Sequence, residues 1–293
     1  MGWMVGVKNR AHPLRYQMLV GGFVCMFFMQ ISLACQPSFP AKRIISLAPN
    51  ITELLFAAGA GDRIVGVSRY SDYPFAARAI PVVGDYNSVN CEIIFVKQPD
   101  LIVALKGAPY TFQIISMSIP VYWVDIRTLA DIPRTLRDLG CLTGTEKIAN
   151  QEASRFEEQY EDLKKHYAKT KPIKIFFELN EHPLMTVTHS TVIDEVIRLC
   201  GGRNIFSDLS GFSPEVTFEE VMVRNPDVIV SVTENKDWVE FWRAWPELYA
   251  TKRNAFITLT PDWMERAGPR ILLGAEELCL QVSDTGRVIC YPS

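Results

Sequence analysis

The sequence predicts an α/β protein made of two lobes with mainly parallel sheets, joined by a long helical connector. Three observations support this fold class. Short apolar runs alternate with helical stretches in residues 41–127 and again in residues 172–282, whereas residues 128–171 show helical patterns only. One segment also occurs in both halves. The chain has 293 residues, 48% of them hydrophobic, which is enough for two separate cores.

Residues 1–34 have the pattern of a secretory signal. Lys8, Arg10 and Arg15 precede an uncharged apolar run of 17 residues, MLVGGFVCMFFMQISLA, which ends with the small residues Ser32 and Ala34. We expect cleavage near Ala34 and export of the remaining chain. An uncleaved anchor is the alternative, because this length is just sufficient to span a bilayer.

The first lobe begins with a strand, RIISLA, and a helix, NITELLFAAGAG. We expect Asn50 or Thr52 to cap this helix and the glycines at Gly59 and Gly61 to end it. IVGVS, DLIVAL and VYWVD are further strands, since each is rich in β-branched residues and flanked by Pro, Gly or Asp. Strands and helices that alternate at this spacing predict a parallel sheet covered on both faces.

The connector contains two predicted helices, and the second is long and highly charged. Its solvent-facing side would carry Glu157, Glu158, Glu161, Asp162, Lys164 and Lys165. The α/β pattern then resumes with KIFFEL, TVIDEVIRLCGG, DVIVSVT and AFITLT, and residues 283–293 form a tail.

The repeated segment reads CEIIFVKQPDLIV from Cys91 and FEEVMVRNPDVIV from Phe218, at a constant offset of 127 residues. It pairs Glu92 with Glu219. Each copy describes a short helix, a proline and a buried strand, so the two lobes should resemble each other. Chance similarity between two ordinary helix–strand units is the alternative.

Several functional classes lack support in the sequence. The net charge is −3 without a basic stripe, which argues against nucleic-acid binding. No GxSxG, HExxH, P-loop or GxGxxG motif follows a strand. His182 and His189 lie in an irregular stretch without a third ligand, so we expect no metal site and no cofactor. An exported enzyme that uses Asp262 or Glu265 as a general acid or base remains an alternative.

Export of the chain determines how its cysteines are interpreted. Six follow the apolar run, none in a CxxC pair, in a compartment that permits disulfides: Cys35, Cys91, Cys141, Cys200, Cys279 and Cys290. Cys35 stands where a lipid-modified cysteine would lie, but Ser32 occupies the position usually held by leucine. Lipidation of Cys35 is therefore left open.

Aromatic residues follow several predicted strands, and in open α/β sheets these are the loops that contact ligands. They are Tyr70, Tyr73, Tyr86, Tyr110, Phe212 and Trp263. Amphipathic rings in such loops suit a broad, flat, partly apolar ligand. The alternative for each ring is packing against its own lobe.

The stretch TPDWMERAGPRILLGAEELC allows two interpretations. Asp262 could cap the amphipathic helix that follows, because acids suit a helix start. Alternatively, Asp262, Trp263 and Arg266 form part of a binding site at that helix.

Four segments together resemble the periplasmic cobalamin-binding proteins of bacterial ABC importers: RIISLAPNITELLFAAGAGDRIVGVSRYSDYP, QPDLIVAL, CGGRNIF and TPDWMERAGPRILLGAEELC. The resemblance covers residues 43–282. It implies a class III periplasmic binding protein, with two α/β lobes bridged by a long helix and the ligand between them. The implied function is non-enzymatic: a monomer in the periplasm that delivers a corrinoid to an inner-membrane permease dimer.

The same resemblance implies roles for individual residues. Tyr70 would pack on the corrinoid, while Asp262 and Arg266 would face its amide side chains; Arg266 could instead only brace Asp262 or Glu265. Glu92 and Glu219 would dock onto arginines of the two permease subunits, and Cys200 would pair with Cys279.

Three positions depart from the family, which has tryptophans where Tyr86, Leu105 and Ser213 stand. Phe212, beside Ser213, could replace one of these indoles. Because the cleft has lost tryptophans, haem or a ferric siderophore is an alternative ligand.

Overall fold

The structure is a computed structural model that describes residues 40–167, 172–233, 235 and 237–290, with side chains as far as residue 284. The predicted signal, Cys35 and the last three residues lie outside this range. Within it, no helix combines the length and the apolar character that a membrane span requires.

The N-terminal lobe is built on five parallel strands in the order β3-β2-β1-β4-β5. The strands are β1 (Ile44–Ser46), β2 (Ile64–Ser68), β3 (Val82–Gly84), β4 (Leu101–Leu105) and β5 (Val121–Val124). The helices of this lobe are α1 (Pro49–Ala57), α2 (Cys91–Lys97) and α3 (Thr111–Ile115). The predicted parallel sheet is confirmed.

Both faces of this sheet are covered, as its uniformly apolar strands predict. Ile44 of β1 and Ile51 of α1 belong to one buried cluster. Ile45 belongs to another, together with Ile94 of α2 and Ile114 of α3. Because consecutive side chains of a strand point to opposite faces, α1 lies on one side of the sheet and α2 and α3 on the other.

Helix α1 begins two residues earlier than capping by Asn50 would require, and four earlier than capping by Thr52 would require. Its N-cap is Ala48, whose side chain caps nothing, and Pro49 takes the first helical position, where a missing N–H costs least. The prediction that Asn50 or Thr52 caps the helix is wrong. Thr52 instead donates to the Ala48 carbonyl (3.2 Å). Gly59, with φ at 82°, follows the helix as predicted.

The connector consists of α4 (Asp131–Thr143) and α5 (Glu146–Tyr167), which pack against each other. Helix α5 buries Ala149, Ala153 and Phe156, while its predicted charged face is exposed. The helices approach closely at Gly140, where an added Cβ would lie only 2.3 Å from that of Ala149.

The C-terminal lobe has four parallel strands in the order β7-β6-β8-β9. They are β6 (Ile173–Glu178), β7 (Gly202–Asn204), β8 (Val228–Ser231) and β9 (Phe256–Thr258). Its helices are α6 (Val192–Leu199), α7 (Phe218–Arg224), α8 (Trp238–Arg243), α9 (Tyr249–Lys252), α10 (Pro261–Met264) and α11 (Ile271–Cys290). Helix α11 continues through residues 283–290, which the sequence predicted as a tail.

A disulfide between Cys200 and Cys279 ties the end of α6 to α11, as the family resemblance implied. Cys141 is also disulfide-bonded. Cys91 has a free thiol.

The repeated segment folds into the same unit in both lobes. The C-cap residues of α2 and α7 are Gln98 and Asn225, and each adopts a left-handed backbone conformation with φ at 45°. The basic side chains of Arg43 and Lys174 donate hydrogen bonds to the last carbonyls of these two helices, at 2.9 Å and 3.1 Å. A cation at the C-terminus complements the helix dipole. The two copies thus share the geometry of the C-cap and a basic partner at the helix end, as well as similar sequences.

Candidate ligand-binding cleft

The candidate site is a cleft of about 740 Å³ between the lobes. Eleven of its lining residues follow or end strands β1 to β4, and three come from the C-terminal lobe: Asp262, Glu265 and Arg266. In the N-terminal sheet the chain runs from β1 towards one edge and then crosses to β4 on the other side of β1. Parallel sheets form ligand crevices where the strand order reverses in this way.

Two tyrosines expose their rings in this cleft. Tyr70 is 73% and Tyr86 61% exposed, and both line the cavity. Tyr70 has φ at 66°, a left-handed conformation that is unfavourable for a bulky side chain. The turn after β2 holds it there, with the Ser71 N–H bonded to the Ser68 carbonyl (3.3 Å). Rings displayed in this way offer an apolar face to a ligand.

Tyr110 instead supports the floor of the cleft. Its side chain is fully buried. The hydroxyl donates to the Leu47 carbonyl (3.1 Å) and accepts from the Leu105 N–H (3.3 Å), and both leucines line the cavity. Burial raises the pKa of the Tyr110 hydroxyl. Tyr110 therefore packs within its own lobe, which was the alternative interpretation for each of these rings.

Phe212 and Trp263 are not among the residues that line the cavity. The guanidinium of Arg127 lies 4.1 Å from the centre of the Phe212 ring, a cation–π contact between the end of the first lobe and a loop of the second. Trp263 is half-buried on α10, close to Gly274 of α11. Their binding roles stay predictions.

Arg266 is the centre of an ion-pair cluster that crosses between the lobes. It contacts Asp262 at 2.9 Å, Asp72 at 2.8 Å and Glu53 at 3.2 Å. Burial disfavours the charge of Arg266, but its carboxylate partners together outweigh burial and raise its pKa. Although Arg266 faces the cleft, its charge is largely compensated within the protein.

Glu53 and Arg270 extend this cluster below the cleft. The Glu53 carboxylate is 2% exposed and accepts two hydrogen bonds from Arg270, at 2.8 Å and 2.5 Å. The Arg270 guanidinium also lies 3.9 Å from the centre of the Tyr73 ring. Neither Glu53 nor Arg270 was predicted from the sequence as part of the site. The available signal was a single acid on the buried side of the apolar helix NITELLFAAGAG.

The turn before α11 differs from the predicted helix cap. The N-cap of α10 is Thr260, and α11 begins only at Ile271. Asp262 is therefore not the cap of the long helix, and its carboxylate pairs with Arg266 instead. Glu265 lies exposed at the cleft, where partial desolvation and the neighbouring Asp262 raise its pKa.

Glu92 and Glu219 occupy the second position of α2 and α7. Both are exposed, and neither makes an ion pair or side-chain hydrogen bond with the residues that the structure describes. Capping falls to Asn90 and Thr217, whose side chains accept from backbone N–H groups. The two carboxylates are thus free to meet a partner.

His182 and His189 are exposed and lie outside the cleft lining. Among the described residues, no group of three or more histidines, cysteines and acids is arranged to hold a metal ion.

Comparisons with known proteins agree with this architecture. A family model described as periplasmic binding protein matches residues 44–263. A vitamin B12-binding protein of Vibrio cholerae is 36% identical over 260 residues, which is 87% of this chain and 94% of that protein. One from Yersinia pestis is 38% identical over 261 residues, 86% of this chain and 90% of that protein.

Solved structures give the same picture. The periplasmic vitamin B12-binding protein BtuF of Vibrio cholerae superposes with a TM-score of 0.79 at 35% identity, over 84% of this chain and 98% of that one. The periplasmic heme-binding protein RhuT from Roseiflexus has a TM-score of 0.73 over 84% of this chain and 99% of that one. Its identity of 23% shows a shared fold alone.

Proposed function

The chain belongs to the periplasmic binding protein family, and from this premise we propose that it captures vitamin B12 or a related corrinoid between its lobes. It then delivers this ligand, chemically unchanged, to an inner-membrane ABC importer. The observation that carries the proposal is the 36–38% identity, over most of the chain, with proteins named for vitamin B12 binding.

The geometry of the cleft supports this ligand. Tyr70 and Tyr86 supply ring faces for a flat macrocycle, and Asp262 and Arg266 supply an acceptor and a donor for amide side chains. Asn50 donates to the Ala267 carbonyl across the lobes (3.1 Å), alongside the ion-pair cluster. Contacts that tie the lobes together leave the cleft largely preformed, which lowers the ordering cost of binding.

The charge of the cleft favours a corrinoid over haem. Three acids and two arginines line the cavity: Asp85, Asp262, Glu265, Arg69 and Arg266. Cyanocobalamin carries neutral amides, whereas the two propionates of haem would meet a site with no net positive charge. Haem or a ferric siderophore is the second candidate, because the phenol oxygens of Tyr70 and Tyr86 can coordinate iron.

Glu92 and Glu219 dock the loaded protein onto the importer. The repeat gives each lobe one exposed carboxylate at the same helical position. A permease dimer has two equivalent subunits, so two equivalent acids match two equivalent basic sites. Docking takes place in the periplasm, which the chain reaches through the signal in residues 1–34. A lipid on Cys35 would tether the protein to the membrane in the same compartment.

Calorimetry with cyanocobalamin, haem and a ferric hydroxamate on the protein purified after export tests the ligand. We expect heat of binding with cyanocobalamin at a 1:1 ratio. Binding of haem or the hydroxamate without cyanocobalamin would replace the corrinoid by the second candidate. Turnover of any of the three ligands would contradict the assignment as a binding protein.

A further inference from the structure

We propose that Glu53 determines the charge preference of the cleft: by neutralising Arg266 from below, it makes the site select uncharged amide groups over carboxylates. Glu53 does not line the cleft itself. The inference rests on the proposed corrinoid function and assigns a specificity-determining residue to it.

Both oxygens of Glu53 are committed to arginines of the other lobe. Oε1 contacts Arg266 at 3.2 Å and Arg270 at 2.5 Å, while Oε2 accepts from Arg270 at 2.8 Å. The side chain is 2% exposed. In such a poorly hydrated position a charge acts strongly on its neighbours, because little water screens it.

Three carboxylates thus surround two guanidiniums. Asp72 and Asp262 complete the set with Glu53, so the cluster carries one net negative charge. An arginine alone in a cleft is a strong site for carboxylates. Arg266 is only 13% exposed and already shares its charge with three acids.

Asp262 adds a direct repulsion. Its carboxylate is 46% exposed and lines the cleft beside Arg266. A ligand amide can donate its N–H to Asp262 and accept from Arg266. A ligand carboxylate in the same place would face Asp262, and the charge of the adjacent Arg266 is already compensated by Glu53, Asp72 and Asp262.

The test compares two ligands that differ by one charge: cyanocobalamin, and the monocarboxylic acid formed by hydrolysis of one of its peripheral amides. The measured quantity is the ratio of their dissociation constants, with each acid regioisomer assayed separately by calorimetry. We expect the wild-type protein to prefer the amide by about tenfold or more for the regioisomer that faces the cluster.

Glu53→Gln keeps the shape of the side chain and removes its charge. We expect this variant to narrow the ratio about tenfold by improving the binding of the acid. Asp72→Asn is the second variant, because Asp72 pairs with the same guanidinium at a more exposed position, where removing its charge leaves less buried charge without a partner. Glu158→Gln is the matched control, since Glu158 is exposed on α5 and makes no described side-chain contact.

A purely structural role for Glu53 predicts equal weakening of both ligands and an unchanged ratio, and that result in both variants would overturn the inference while leaving the corrinoid function intact. If the wild-type protein binds neither ligand, the proposed function itself fails. A narrowed ratio in Glu53→Gln, but not in Glu158→Gln, supports the inference. A ratio narrowed in Asp72→Asn but unchanged in Glu53→Gln would assign the preference to Asp72 and overturn the role of Glu53.

Discussion

Replacing Glu178 with glutamine should stabilise the protein above pH 7 and remove part of its pH dependence. Glu178 ends β6 in the C-terminal lobe and is 1% exposed. Its carboxyl accepts from the Trp242 indole (2.6 Å) and the Ser231 hydroxyl (3.1 Å). Burial raises the pKa of this carboxyl to about 7, although the two hydrogen bonds act in the opposite direction.

The direction of the stability change with pH follows from proton linkage. The folded protein holds the Glu178 proton more tightly than the unfolded chain, so this group stabilises the fold fully below pH 4.5. That contribution is lost as the pH rises towards 7. A pKa raised from 4.5 to about 7 corresponds to about 3 kcal/mol, at ~1.4 kcal/mol per pH unit.

Glutamine imitates the protonated acid, because its amide oxygen can accept from Trp242 and its amide nitrogen can donate to Ser231. The free energy of unfolding should therefore match that of the wild type near pH 4.5 and exceed it by up to about 3 kcal/mol at pH 8. Urea denaturation followed by circular dichroism at pH 4.5, 6, 7 and 8, with the disulfides oxidised, measures the difference. Other carboxyl groups titrate in both proteins and cancel.

Glu158→Gln on the exposed face of α5 provides the control and should follow the wild type at every pH. A difference between Glu178→Gln and the wild type that does not change with pH would refute the linkage argument. So would a variant less stable than the wild type at pH 8.

Three other predictions concern binding, transport and stability. Tyr70→Ala should weaken cyanocobalamin binding in calorimetry by about tenfold or more while leaving the fold intact, because an exposed ring is lost from the cleft; unchanged affinity would exclude Tyr70 as a contact. Glu92→Arg with Glu219→Arg should abolish uptake of labelled cobalamin by cells but preserve its affinity in vitro, and normal uptake would contradict docking at these helices. Replacing Cys200 and Cys279 by alanine opens a loop with a sequence separation of 79 and should lower the free energy of unfolding in urea by about 4 kcal/mol. An unchanged urea midpoint would contradict a stabilising role for this disulfide.

The lobes and the repeat could be predicted from the sequence because their signals are local. Apolar runs specify buried strands. The repeated segment places Glu92 and Glu219 at the second position of α2 and α7, and the two helices have the same C-cap geometry. The Cys200–Cys279 bond was available only through resemblance to a family, since cysteine spacing alone allows several pairings.

The centre of the cleft was decided by tertiary structure. Asp262 and Arg266 were recognised as a pair, but the partner Glu53 lies 213 residues away in sequence from Arg266. Parallel sheets bring distant strand ends to one edge, and the angle between two lobes selects which side chains meet there. No periodicity in the chain encodes that angle. The same reason explains why Tyr110 faces the core while Tyr70, also just beyond a strand, faces the cleft. Residue patterns set which segments are buried, whereas only the packed lobes decide which charges are already paired before a ligand arrives.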